Sequence, residues 1–93
     1  MSSFKDHLDT AVFTTKFVLT DKKVITYVTH EFEDGAWQFF SDDDFGDYEG
    51  VAMIAGLGEI IALDKTVLEL ADLPLGHKAK RQTIMDHWII EKI

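Results

Sequence analysis

VITYVTHEFEDGAWQFF, residues 24–40, decides the fold. Two apolar runs rich in β-branched and aromatic residues flank Glu33-Asp34-Gly35. Asp-Gly between such runs supplies the backbone freedom that a tight hairpin needs. The stretch predicts antiparallel strands over 24–32 and 36–40, joined by a turn at 33–35. In the first strand, Ile25, Tyr27 and Thr29 share one face, and Val24, Thr26 and Val28 share the other. Both faces are rather apolar, which implies a sheet partly buried on both sides. In the second strand, Trp37 and Phe39 point one way and Phe40 the other.

Working outward, TTKFVL at 14–19 has strand composition, and TDKK at 20–23 reads as a turn. With the hairpin it predicts a three-stranded antiparallel meander. Residues 1–12 read as a loose or short helical lead-in, with Leu8, Ala11 and Val12 as a small apolar stripe. SDDDFGDYEG at 41–50 is a loop, and VAMIA at 51–55 a short strand. LGEIIALDKTVLELAD at 57–72 changes to helical spacing. It reads as two short pieces broken near Asp64, with Asp64 or Thr66 as the second cap, or as one bent helix. Leu73-Pro74 and Gly76 end it. A strand within 77–83 then crosses back to the sheet. Residues 84–93 have spacing that permits a helix, but their β-branched density favours a strand near 87–92.

The expected fold class is therefore α+β: a single domain over 1–93, built as a small antiparallel β-sheet with short helices packed on one face. Leu57, Ile60, Ile61, Val67 and Leu68 are the expected helical core residues. Phe17, Leu19, Ile25, Tyr27, Trp37 and Phe39 are those of the sheet.

Apolar residues make up 46% of the 93, well above the level of a disordered chain. The chain has no cysteine, so it has no disulfide framework, thiolate nucleophile or zinc–thiolate site. MSSFKDHLD lacks the basic start and apolar centre of a signal peptide, and there is no long uncharged apolar run. A soluble, cytoplasmic protein without membrane contact is expected. The net charge of −8 argues against nonspecific nucleic-acid binding and favours a basic protein partner, or else serves solubility alone. An exposed edge strand would also permit a homodimer.

DGAWQFFSDDD at 34–44, LGEIIALDKTVLELADLPLG at 57–76, Lys80-Arg81 and Trp88 appear in that order after a strand-turn-strand start. In this arrangement the stretch from Phe17 to Arg81 resembles a family of small uncharacterised bacterial proteins, some of them regarded as immunity proteins against polymorphic toxins. The resemblance implies a small α+β domain and, further, protein binding or toxin neutralisation. It transfers no catalytic residue.

The chemistry-bearing residues converge on one region. Residues 31–50 contain eight Asp or Glu and no Lys or Arg. This asymmetry points to a directed electrostatic surface. Trp37, Phe40, Asp42, Asp43, Asp44, Asp47, Tyr48 and Glu49 are the candidate protein-binding residues. The rings would anchor a contact and the acids would steer it. Core packing of the rings and solvation of the acids is the plainer alternative. A small-molecule or cation-binding regulatory role for the 42–49 loop is the other function considered. Asp42 and Asp44 match the start of an EF-hand loop, but Gly46 is one place early and the later ligands are absent.

No cofactor is implied and no metal ligand is assigned. His7, His30, His77 and His87 form no HExxH motif. Gly56-Leu57-Gly58 lacks the third glycine of a dinucleotide fingerprint and reads as a strand-to-helix junction. Ser2, Ser3 and Ser41 lie outside any GxSxG motif, so catalytic residues are assigned as none. Lys78, Lys80 and Arg81, with His77, form the main basic cluster. They read either as an anion contact or as charges guarding a strand edge. The functional expectation is a non-enzymatic, acidic protein-interaction module, in the sharpest reading an immunity protein that occludes a basic toxin surface.

Overall fold

A computed structural model describes residues 3–93. Met1 and Ser2 lie outside the described residues. Strand β1 (Ala11–Thr15) leads into one helical turn, α1 (Lys16–Leu19). β2 (Tyr27–His30) and β3 (Trp37–Phe40) form the hairpin. β4 (Ala52–Gly56) follows the acidic loop and passes directly into α2 (Leu57–Leu63). A 3-10 helix over Lys65–Leu70 precedes β5 (His77–Lys80) and β6 (Ile89–Lys92). The six strands form one sheet in the order β4-β1-β3-β2-β5-β6. All neighbours are antiparallel except β1 and β3. The fold is α+β, as the periodicities imply. No helix among the described residues is long and apolar enough to cross a membrane.

The hairpin forms as Asp-Gly predicts. Gly35 takes a φ of 71°, and the Asp34 carboxylate accepts from the Ala36 amide at 2.9 Å. The expected meander does not form. β1 lies between β3 and β4, and its full register, Ala11↔Gly56 to Thr15↔Ala52, is with β4. Residues 16–26 carry the chain past β3, so β1 and β3 run parallel with β2 beyond them. The first strand also begins earlier than TTKFVL suggests. Its end is set by Thr15, which sits in extended backbone and caps α1 by accepting from the Val18 amide at 3.5 Å. The lead-in is held rather than loose at residues 4–6. The Phe4 and Trp37 rings meet edge-on with centroids 5.0 Å apart, and Trp37 Nε1 donates to Asp6 at 2.8 Å.

The core lies on one side of the sheet. Val12, Val28, Trp37, Phe39, Ala55 and Ala79 face Leu57, Ile60, Val67 and Leu70 from the helical segment. Tyr27, expected in this core, is turned away. Val28 pairs with Phe39 on the core side, so alternation sends Tyr27 and its partner Phe40 to the opposite face. Phe17, Leu19, Ile61 and Leu68 are half-buried.

The break at Asp64 is built as predicted. Its carboxylate accepts from the Thr66 amide at 2.9 Å, starting the 3-10 helix. The same carboxylate accepts from Arg81 Nη2 at 2.6 Å, with both side chains buried. Arg81 also donates from Nε to the Ile25 carbonyl at 3.0 Å and from Nη1 to the Thr66 hydroxyl at 2.9 Å. Its guanidinium lies 3.9 Å from the Trp88 ring centroid. Arg81 is therefore a bolt between the layers, not part of a basic surface. Nor does β5 form a sheet edge, because β6 covers it.

Candidate functional site

The face of the sheet opposite the helices carries the candidate site. Strand alternation places Ile54, Phe13, Gln38, Thr29, Lys78 and Glu91 in one row across the sheet. The row turns from apolar to charged between β4 and β6. Phe13 and Ile54 are directly opposed and exposed, Ile54 at 67%. Thr29 and Gln38 are tied by a 3.0 Å hydrogen bond between hydroxyl and amide oxygen. At the β5–β6 end, Lys80 and Glu91 pair at 2.9 Å. The Lys80 hydrogen bond, reinforced by its charge, holds the Glu91 carboxyl below the usual range.

The expectation of a sheet partly buried on both sides holds only locally. Over the open face, the 41–50 loop folds back at the Phe40 end. Phe40 contacts Phe45 and Tyr48 with centroids 6.4 and 5.7 Å apart, and Tyr27 lies 6.4 Å from Phe40. The Tyr48 hydroxyl donates to the Thr14 carbonyl at 3.0 Å, and burial pushes its phenol above the ordinary 10.0. These aromatics form the underside of the loop, while its acids stay outside. Asp42 and Asp44 are exposed. Asp47 accepts from the Glu49 amide at 3.1 Å and caps a 3-10 turn at Tyr48–Gly50. Asp43 accepts from the Ser41 hydroxyl at 2.6 Å.

The eight acids of 31–50 do not form one cluster. β3 separates them into two groups at opposite ends of the sheet. Glu31, Glu33 and Asp34 lie at the hairpin end, and the loop acids at the other. Four strand residues put roughly 10–14 Å between them along the sheet. Both groups border the open face. The hairpin acids line a groove of about 800 Å³ with Phe13, Gln38, the 74%-exposed Phe32 and a single cation, Lys92. The loop acids surround the Phe40–Tyr48 platform. The result is a partly apolar face with acidic margins.

Of the sequence-predicted residues, Asp42, Asp43, Asp44, Asp47, Tyr48, Glu49 and Phe40 all belong to the loop end of this face. Trp37 does not. It is 2% exposed on the core side, stacked on His30 at 3.8 Å, and offers no ring to a partner. Sequence reasoning missed Phe13, Phe32 and Ile54, the exposed apolar side chains of this face and its hairpin margin. Phe13 has a readable signal, since it alternates with Val12 and Thr14 on a strand whose other face is the core.

Among the described residues, no three of His, Asp and Glu converge in a geometry that could hold a metal ion. His30 Nδ1 instead lies 2.7 Å from the Leu73 carbonyl and so carries its proton there. Gly56-Leu57-Gly58 is the expected strand-to-helix junction. Glu59 closes it by accepting from the Gly56 amide at 3.0 Å, and the Gly58 amide donates to Leu8 at 2.7 Å.

No protein-family model matches the chain, and no curated protein or solved structure matches it significantly. These comparisons assign the chain to no family, and the open face is the feature that bears on function.

Proposed function

We propose that this protein is a non-catalytic interaction module that docks a basic protein partner on the open face of its sheet. The observation that carries the reading is the pairing of that face with its margins. Phe13, Phe32 and Ile54 are exposed on a strand or hairpin, where they lose little freedom on docking. Acids stand at both ends, on a chain whose net charge is −8. Such a surface gives attraction over distance and apolar burial on contact. The resemblance of residues 17–81 to a family of small uncharacterised bacterial proteins, some of them regarded as immunity proteins, supports the sharper form, in which the partner is a toxin whose basic surface is covered in the cytoplasm.

The test is affinity capture from the native cell, followed by calorimetry on the captured partner. Two charge-reversal sets are compared: Asp42→Lys, Asp44→Lys and Asp47→Lys at the loop, and Glu31→Lys, Glu33→Lys at the hairpin. Each set should weaken binding, and salt should weaken wild-type binding. Equal affinity in all three proteins at low and physiological salt would remove the face from the proposal. Co-expression with a neighbouring toxin gene tests the immunity form, which fails if the cells gain no protection.

A further inference from the structure

Among the described residues β4 is a free edge of the sheet, and it carries neither the charge nor the proline that keeps edges from pairing. Residues 50–58, GVAMIAGLG, contain no charge and no proline. The opposite edge, β6, carries Glu91 and Lys92, and Glu91 is engaged by Lys80.

The direction in which β4 offers its backbone follows from its two ends. Lys16 N donates to Val51 O, and Leu57 N donates to Thr10 O, each at 2.9 Å. Antiparallel ladders alternate, so residues 51, 53, 55 and 57 turn their backbone groups toward β1. Ala52 and Ile54 then turn theirs outward, and both residues are exposed. The next outward amide, that of Gly56, is already taken by Glu59. The edge thus presents a short unit of two donors and two acceptors centred on Met53.

We propose that β4 pairs antiparallel with β4 of a second copy, with Met53 on the two-fold axis. This register sets Ala52 of each copy opposite Ile54 of the other. Both pairs exchange N–H and C=O groups, and Glu59 keeps its bond to Gly56. The two six-stranded sheets become one continuous sheet. Self-complementarity argues for a second copy over a foreign strand, because one symmetric operation uses every outward group on the unit. Charge decides only where two copies can meet. A chain of net charge −8 repels its own copy over most of its surface, whereas β4 itself brings no charged side chain to the contact. The remaining repulsion comes from Asp47, Glu49 and Glu59 near the ends of the strand, and salt screens it.

This inference does not rest on the docking of a basic partner, and salt separates the two. Sedimentation equilibrium at low salt and at about 0.5 M salt should show a dimer that strengthens with salt. Hydrogen exchange should show Ala52 and Ile54 amides gaining protection with concentration, while Met53 and Ala55 stay protected throughout. Ile54→Lys and Ile54→Glu should each weaken the dimer by at least about tenfold. The lysine variant is decisive because it lowers the net negative charge and would tighten any dimer limited by repulsion alone. Retained protection at Met53 and Ala55 shows that the variants are folded. A monomer at millimolar concentration in high salt would overturn the proposal. So would a dimer whose Ala52 and Ile54 amides exchange as in the monomer, or one indifferent to Ile54→Lys.

Discussion

Replacing Asp64 by alanine should cost more than any surface change in this chain. Arg81 reaches Asp64 at 2.6 Å with a guanidinium side chain only 1% exposed. Removing the carboxylate leaves that charge buried beside Trp88, with the Ile25 carbonyl and the Thr66 hydroxyl as its remaining polar neighbours. Breaking one side of a buried pair costs about 3–5 kcal/mol. Loss of the cap on the 3-10 helix adds about 1 kcal/mol. A chain of this length has a total stability of about 5–14 kcal/mol, so Asp64→Ala should leave it near its unfolding threshold. The double variant Asp64→Leu, Arg81→Met removes the charge with its partner and should be more stable than Asp64→Ala alone. Urea unfolding of Asp64→Leu, Arg81→Met and the double closes a cycle. The expected coupling is at least about 1 kcal/mol. A loss below about 1 kcal/mol for Asp64→Ala, or strict additivity, would show that the pair does not bolt the layers together.

Two further expectations concern local features. Burial raises the Tyr48 phenol above 10.0, so the unfolded chain releases this proton first. Stability tied to the neutral phenol is complete below pH 10.0 and is lost as pH rises through the folded-state value; Tyr48→Phe should flatten that alkaline loss in pH-dependent melting while costing about 1 kcal/mol at neutral pH. Gly35→Ala forces a side chain onto a φ of 71° and should lower the urea midpoint by an amount equivalent to about 1 kcal/mol, with the slope unchanged.

Local chemistry made several elements legible. Asp-Gly announced the hairpin, Asp64 the helical break, and the β-branched density of Ile89 and Ile90 the last strand. Strand order was not legible, because β1 is equally apolar whether it neighbours β2 or β3. What decides is the five-residue match to β4, a pairing between segments some forty positions apart. Arg81 was misread for a similar reason. Beside Lys78 and Lys80 it looks like part of a basic run, yet β5 alternation sends both lysines to the open face, while Arg81, just past the strand, turns back to Asp64. Trp37 and Phe40 show the limit for the site. Strand periodicity put them on different faces, but it did not say which face the helices would cover.

The two proposed contacts make opposite demands on the same charge, and this sets the conditions under which each operates. Docking of a basic partner draws on the acids at both margins and weakens as salt screens them. Pairing through β4 is opposed by those acids and strengthens under the same screening. The outer faces of the paired copies are continuous across β4, and Ile54, their most exposed large apolar strand residue, sits at the seam. A basic partner spanning the seam would neutralise both sets of loop acids and so favour the dimer. Partner titration at low salt should then convert monomer into a two-to-two complex, with Ala52 and Ile54 amides becoming protected as the partner is added. One-to-one binding with those amides still open would mean that face and edge act independently.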